Sequence, residues 1–252
     1  MLNSAWAIAV ALSLQTPAPQ PPPPEVTWPD DKPITRLVPN LVNDARALPS
    51  WDTLFILGGG GAVALMAHSQ DDDLAEWAAE SGSSASGFGR VLGNGLTQGT
   101  IALVGYGIGR VNKDGKTTHV ASDLIRAQVL NGLLTQTLKF TINRTRPSGG
   151  DHAFPSGHTS ATFASATVLQ KHLGWKVGVP SYALASFVGW TRIRDRAHWL
   201  TDVIFGAALG TVSARTVTLG HHRNGWAVVP VRTNGGVAVY LMKVDRPKSR
   251  AR

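Results

Sequence analysis

Three short stretches of the sequence combine cationic side chains, imidazoles and a hydroxyl, which are the groups that chemistry on a dense anion requires. The central stretch, residues 154–160, reads Phe-Pro-Ser-Gly-His-Thr-Ser and comes directly before an alanine-rich apolar run. Proline and serine can end a loop and cap a helix, and Gly157 lets a ligand approach the backbone. The stretch therefore predicts a helix N-terminus with the Ser156 hydroxyl and the His158 imidazole, a place that favours an anion. Taken alone, the same residues also fit an ordinary helix cap.

A second stretch, residues 139–147, carries cations at the predicted end of a helix. Lys139 and Arg146 are seven residues apart, or two helical turns, so both are expected on one face, while Arg144 is expected to point elsewhere. Pro147 is expected to stop the helix. The alternative for this stretch is a basic last turn that satisfies the helix dipole.

A third stretch, residues 192–202, contains Arg192, His198 and Asp202. His198 and Asp202 are four residues apart, so on a helix the carboxylate would hold one imidazole nitrogen and leave the other free as a nucleophile. The alternative here is a surface pair of little energetic importance.

The elements that must position these residues are predicted to be helices. Apolar residues recur at three- and four-residue steps from Ala121 to Asn143, the clearest helical pattern in the chain. We expect an all-α bundle of roughly six helices over residues 51–221. The other predicted helices cover Trp51–His68, Leu92–Ile108, residues 155–172, Val179–Trp190 and Leu200–Leu219, with a short amphipathic helix from Asp71 to Glu80.

The two ends of the chain are expected to lie outside that bundle. Residues 1–18 contain a ten-residue apolar segment of signal-peptide length, but no Lys or Arg precedes it, so an uncleaved anchor stays open. Residues 19–50 are rich in proline and predict an extended arm. Residues 222–252 predict a small β-hairpin around a Thr-Asn-Gly-Gly turn, followed by a basic tail.

Composition narrows the classes of function. The formal charge of +8 suits an anionic substrate, a membrane surface or nucleic acid. The chain has no cysteine and no obvious carboxylate cluster for two metals, so we expect neither a metal nor another cofactor in the site. No stretch has about 20 mainly apolar residues, which favours an exported water-soluble domain over an integral membrane bundle.

Read together, the three stretches are Lys-x6-Arg-Pro, Pro-Ser-Gly-His and Arg-x5-His-x3-Asp, in that order. This set closely resembles the signature of the type 2 phosphatidic acid phosphatase and vanadium haloperoxidase superfamily, over about residues 50 to 220. Thr191 stands where that family usually has serine before the arginine. The resemblance implies a helical enzyme that moves a phosphoryl group through a phosphohistidine and needs no metal.

The resemblance also implies a role for each candidate residue. His198 would be the nucleophile, with Asp202 fixing its tautomer, and His158 would be the general acid that protonates the leaving group. Five residues would bind the phosphate oxygens, namely Lys139, Arg146, Ser156, Gly157 and Arg192.

We therefore expect an exported, periplasmic or envelope-associated phosphatase for a phosphate monoester or pyrophosphate, preferably of a lipid, that contacts a membrane surface. Two other enzymes stay open at this point: a non-specific acid phosphatase for small esters, and a haloperoxidase, because vanadate mimics phosphate. The non-enzymatic alternative is a basic envelope-binding protein. No nucleic-acid motif is visible, so nucleic acid is not an expected partner, and the sequence leaves the oligomeric state open.

Overall fold

The computed structural model describes residues 36–80, 86–219, 225–233 and 236–244. These residues form nine α-helices, one short 3₁₀ helix at His68–Gln70 and one pair of antiparallel strands, so the fold is mainly helical as predicted. The helices are α1 (Leu37–Ala47), α2 (Trp51–Ala67), α3 (Asp71–Glu80), α4 (Ser86–Gly93), α5 (Gly95–Val111), α6 (Gly115–Ile142), α7 (Gly157–Leu173), α8 (Trp175–Arg194) and α9 (Leu200–Leu219).

Helix α7 lies at the centre of the bundle, where it packs against α6, α8 and α9. Helix α2 packs on α9, and α5 packs on α6. Alanine and valine side chains and one leucine fill the space between α6, α7 and α9; they are Val120, Ala127, Leu130, Ala164, Val168, Ala214 and Val217. Such short side chains let the three helices that carry the candidate residues approach closely.

Two short helices differ from the sequence-based prediction. Helix α1 lies in residues 19–50, where we expected an extended arm, because Leu41 packs against the core and Asp44 is buried beside Arg126. Helix α4 has only eight residues, three of them glycine, so its apolar pattern is too short to be recognised. The remaining part of the predicted arm that precedes residue 36, and the predicted signal-like segment 1–18, lie outside the described residues.

Helix α6 ends before Pro147, the residue that we expected to stop it. Its last residue is Ile142, and Asn143 caps it in a left-handed conformation with φ of 44°. Arg144 and Arg146 therefore belong to the loop before α7, so the prediction that Lys139 and Arg146 share one helix face was wrong. Asparagine tolerates the left-handed region better than most residues, which explains why the chain turns there and not at Pro147.

Helix α9 approaches the start of α7 through Gly206. A Cβ atom added at this glycine would lie only 2.7 Å from the carbonyl oxygen of Ser156. The glycine is therefore needed for the close approach of the two helices, which brings the His198 turn beside the His158 stretch.

The C-terminal strands β1 (Gly225–Thr233) and β2 (Gly236–Val244) pair antiparallel, with Trp226 opposite Lys243 and Thr233 opposite Gly236. The predicted hairpin falls in this segment. The basic tail that we predicted after it lies outside the described residues.

Large apolar side chains are exposed on several helices. On α2, Phe55 is 70% exposed and Met66 is 79% exposed, and on α5, Leu96 and Val111 are 83% and 82% exposed. Among the described helices, none is by itself both long enough and apolar enough to cross a bilayer. Helix α1 together with residues 51–80 passes that test of length and composition as a pair bent by 68°.

Candidate active site

A cavity of about 1000 Å³ opens where the three predicted stretches meet. Its wall contains six of the eight candidate residues, which are Lys139, Arg146, Gly157, His158, Arg192 and His198. Ser156 and Asp202 are fully buried behind this wall. The fold thus brings side chains from the end of α6, the start of α7, the end of α8 and the turn before α9 to one place.

His198 lies in the turn just before α9, and not on a helix as we expected. Its Nδ1 is 2.7 Å from the carbonyl oxygen of Ala153 and 3.7 Å from Oδ2 of Asp202. Because a carbonyl oxygen can only accept a hydrogen bond, Nδ1 carries the proton and Nε2 bears the lone pair. A backbone carbonyl therefore orients the ring, and Asp202 acts on it through its charge.

The protonation state of His198 suits a nucleophile. Burial lowers the pKa of His198, and the charges of Lys139 and Arg146 lower it further, although Asp202 opposes them. The ring is therefore neutral at pH 7, and its Nε2 lone pair is available to attack an electrophile.

His158 lies in the first turn of α7. Its Nε2 is buried and has no hydrogen-bond partner among the described residues, so that nitrogen is the one available to a ligand. Burial, followed by the charges of Arg192 and His198, lowers the pKa of His158 to about 4. A phosphate dianion between these cations would favour the imidazolium again, because an opposite charge nearby stabilises the charged form.

Backbone carbonyls hold two of the cations in place. The Lys139 ammonium donates to the carbonyl oxygen of His152 at 2.6 Å, and the Arg146 Nε donates to that of Asp151 at 3.0 Å. Burial, together with the charge of Arg146, lowers the pKa of Lys139 to about 8. Lys139 is therefore mainly charged at pH 7 but loses its charge in mildly alkaline solution.

Arg192 is a buried cation, with 4% of its surface exposed. Its guanidinium donates to Oδ2 of Asp195 at 2.5 Å, which fixes its position on the cavity wall. Arg90 of α4 also lines the cavity and adds a fourth cation there. Sequence reasoning did not assign Arg90 or Asp195, because neither belongs to one of the three recognised spacings.

The Ser156 hydroxyl does not face the cavity. Its oxygen is 2.9 Å from the Thr159 hydroxyl, and the Ser156 N–H donates to the carbonyl oxygen of Asp202 at 3.0 Å. The contact between α7 and α9 buries the residue, and the bond from this hydroxyl to phosphate stays a prediction. Gly157, the first residue of α7, does line the wall and leaves that end of the helix accessible.

Arg144 and Asp71 form a charge network that holds the carboxylate of Asp202. Arg144 donates to Oδ1 of Asp202 at 2.7 Å and to Oδ2 of Asp71 at 2.8 Å. The second oxygen of Asp202 accepts the N–H of Trp199 at 2.9 Å, which also caps the start of α9. With both oxygens held, the carboxylate stays in place beside His198.

Asp71, the first residue of α3, completes this network. It accepts the N–H of Thr201 at 3.0 Å and the Thr201 hydroxyl at 2.8 Å. Burial alone would raise the pKa of Asp71, but the hydrogen bonds from Arg144 and Thr201 hold it below its usual range. Sequence reasoning missed this residue and expected Arg144 to point elsewhere, because Asp71 and Arg144 are 73 positions apart and no local spacing connects them.

Residues 121–226, which include all three stretches, match the sequence profile of the PAP2 superfamily. This part of the chain is therefore similar to the PAP2 superfamily. A lipid A 1-phosphatase of Porphyromonas gingivalis is 35% identical over 115 residues, which are 44% of this chain and 25% of that protein. Lipid phosphate phosphatase 1 of Arabidopsis thaliana is 26% identical over 156 residues, which are 43% of this chain and 48% of that protein. The chain thus spans between a quarter and about half of the length of these two relatives.

A solved structure has the same overall arrangement. It is the first transmembrane PAP2 type phosphatidylglycerolphosphate phosphatase from Bacillus subtilis, with a TM-score of 0.51 and 22% identity. The similarity covers 73% of this chain and 92% of the solved one. It shows that the helical bundle described above is a fold of the PAP2 type.

Proposed function

We propose that this chain is a phosphatase that releases phosphate from a phosphorylated lipid through a phosphohistidine at His198. One observation carries the proposal: a neutral imidazole with its lone pair on Nε2 shares a cavity with four cations and a second histidine. That set provides a nucleophile, a proton donor and charges for the phosphate oxygens. The lipid phosphatases among the relatives support the same chemistry.

In the first step, Nε2 of His198 forms a bond to phosphorus while the bond from phosphorus to the ester oxygen breaks. His158, protonated when the phosphate dianion is bound, gives its proton to the leaving oxygen, so the product leaves as an alcohol. The phosphorylated ring carries a positive charge that the Asp202 carboxylate, 3.7 Å from Nδ1, stabilises.

In the second step, water attacks phosphorus and the bond from phosphorus to nitrogen breaks. His158, now neutral, takes the proton of the water, and inorganic phosphate leaves with His198 back in its neutral form. Lys139, Arg146 and Arg192 act in both steps by stabilising the charge on the phosphoryl oxygens. Removal of one such donor typically costs about 10²–10³-fold in kcat.

An apolar rim supports a lipid as the substrate. Leu96 lines the cavity and is 83% exposed, and Phe88 and Val91 are exposed on α4, the helix whose Arg90 lines the same cavity. A phosphate held by the cations would therefore leave its hydrocarbon part beside Leu96, with further apolar surface exposed on α4. This rim favours a lipid over a small ester.

We further propose that the protein works at an envelope membrane, after export. The formal charge of +8, the signal-like segment in residues 1–18 and the exposed apolar side chains support this location. Cell fractionation with N-terminal sequencing of the recovered protein tests it. Recovery in the cytosol with the N-terminal segment intact would contradict the proposal.

The phosphatase activity is tested by phosphate release from phosphatidic acid, lipid A, an isoprenyl pyrophosphate and a small aryl phosphate. We expect release from at least one of the lipids, and its loss in the variant His198→Ala. No release by the wild-type protein would contradict the proposed function, and full turnover by the variant would contradict the nucleophile.

The apolar rim is tested separately with Leu96→Ser. We expect a higher KM for the lipid in mixed micelles and an unchanged KM for the aryl phosphate. Val111→Ser is the matched control, because Val111 is as exposed as Leu96 but lies at the other end of α5, about 22 Å along the helix. Equal effects of both changes would refute a specific role for the rim.

A further inference from the structure

A cluster of two histidines and one aspartate lies at the end of the bundle away from the cavity. His119 and Asp123 are one turn apart near the start of α6, and His172 lies in the last turn of α7. Lys139 lies sixteen residues beyond Asp123 on the same helix, which corresponds to about 24 Å. The cluster is therefore separate from the phosphate site.

The ligand atoms of the cluster converge on one point. Nε2 of His172 is 2.8 Å and Nε2 of His119 is 3.8 Å from the same carboxylate oxygen, Oδ2 of Asp123. All three atoms lie within 4.8 Å of one another. Metal–ligand bonds of about 2.0–2.2 Å place tetrahedral ligands about 3.3–3.6 Å apart, so small side-chain movements suffice to surround an ion.

The surroundings of the cluster fix the carboxylate and favour a cation. Oδ1 of Asp123 accepts a hydrogen bond from Arg126, whose other amino group donates to Asp44 at 2.7 Å. Asp44, Asp123 and Arg126 are all at most 4% exposed, and together they carry one negative charge when both carboxylates are ionised. A buried negative charge beside two imidazoles attracts a positive ion, and the fixed Oδ1 leaves Oδ2 as the ligand.

We propose that His119, Asp123 and His172 bind one divalent transition-metal ion, with Zn²⁺ as the best match, in a structural site that ties α6 to α7. Two imidazole nitrogens and one carboxylate oxygen are ligands that zinc accepts, with water in the fourth position. Ca²⁺ and Mg²⁺ prefer sets made of oxygen ligands, so neither is expected to bind. Sequence analysis expected no metal in the phosphate site and did not single out this cluster, because His172 is 49 positions from Asp123 and belongs to no recognised ligand spacing.

The test uses the full chain after treatment with a chelator and dialysis. Titration with Co²⁺ should give visible ligand-field absorption that saturates at one ion per chain and disappears when Zn²⁺ is added. Zn²⁺ at a hundredfold excess over its Kd should raise Tm by about 5–10 °C, whereas Ca²⁺ and Mg²⁺ should not. Absence of both the Co²⁺ absorption and a Zn²⁺-dependent Tm shift in the wild-type protein would overturn the proposal.

Variants identify the ligands. His119→Gln and His172→Gln, which keep side-chain size and a hydrogen-bond donor, should each weaken Co²⁺ binding at least about tenfold. The matched control is His68→Gln, because His68 also pairs with an aspartate, at 3.1 Å from Asp71, but as a single imidazole. Full Co²⁺ binding by the double variant of His119 and His172 would overturn the assignment. If a variant does not fold, the stoichiometry and absorption of the wild-type protein still decide whether an ion binds.

The structural role of the ion is tested by measuring Tm and phosphate release after the ion is removed. Removal of the ion should lower Tm and leave phosphate release unchanged at temperatures where the apoprotein is folded. Loss of turnover in the folded apoprotein would contradict a purely structural site. This outcome is independent of the proposed phosphatase function, because Tm and Co²⁺ absorption are measured without substrate.

Discussion

Replacement of Arg144 by glutamine tests the charge network behind His198. Arg144 pairs with Asp71 and Asp202, whose side chains are 3% and 0% exposed. Removal of one partner from a buried ion pair typically costs about 3–5 kcal/mol. Because the Arg144 side chain is itself 25% exposed, water can reach the vacated space, and we expect a loss of about 2–3 kcal/mol. For a chain of this size the loss corresponds to a fall in Tm of about 4–12 °C.

The same change should slow the chemical step. The carbonyl of Ala153 still holds the His198 ring, and the cations on the cavity wall are untouched, so KM should change little. Asp202 loses the partner of its Oδ1, and a displacement of about 1 Å in a catalytic group can cost about 10²-fold, so kcat should fall by about 10- to 100-fold. Loss of a nearby cation should also raise the pKa of His198, so the acid limb of kcat/KM should move to higher pH.

The assay is steady-state release of phosphate from an aryl phosphate across a pH series, with the folded fraction measured by circular dichroism. Arg144→Lys should restore part of kcat, because it keeps a charge but only one point of contact. Arg196→Gln is the control, since the Pro147 carbonyl oxygen, at 3.4 Å, is the one partner described for the side chain of Arg196. A wild-type kcat and acid limb in folded Arg144→Gln would refute the positioning role.

Three further predictions concern single positions. Because the pKa of Lys139 is about 8 and its charged form exists below that value, KM should rise as the pH passes about 8, whereas Lys139→Arg should keep its low KM there; identical profiles would count against this assignment. His158→Ala should reduce turnover most for substrates with poor leaving groups, and an equal loss with an activated aryl phosphate would contradict its role as proton donor. Gly206→Ala should lower stability by about 1–3 kcal/mol in thermal unfolding, because its Cβ would meet the Ser156 carbonyl at 2.7 Å. Gly58→Ala, where a Cβ meets nothing within 4 Å, should not lower Tm, and similar losses in both variants would refute the packing argument.

Residue types and spacing selected six of the residues that line the cavity. Lys139, His158 and His198 were selected because each lies in a stretch whose residue types and spacing suit the binding or transfer of a phosphoryl group. The fold brings the three stretches together. The burial of Ser156 was not predictable from its own stretch, because it depends on the contact between α7 and α9. That contact is made possible by Gly206, fifty residues further along the chain. A local sequence pattern predicts a helix cap, but it does not predict which of the capping side chains another helix will bury.

The network behind His198 shows a second limit. Asp71 reads as an ordinary acidic residue at a helix start, and Arg144 was expected only to point away from the face that carries Lys139 and Arg146. Their ion pair joins positions 73 residues apart, and burial of the aspartate is visible only after the bundle has formed. The end of α6 was likewise misjudged, because Pro147 is a stronger stop signal in the sequence than Asn143, whose left-handed conformation ends the helix.

The central claim is that Nε2 of His198 takes the phosphoryl group. Rapid mixing with substrate labelled in the phosphate, followed by quenching in base, tests it directly, because a phosphohistidine survives base and decomposes in acid. We predict transient labelling of the peptide that contains His198, with phosphorus on Nε2, because Nδ1 donates its proton to the Ala153 carbonyl. Turnover without labelled protein, or a label on Nδ1 or on a different residue, would contradict the account.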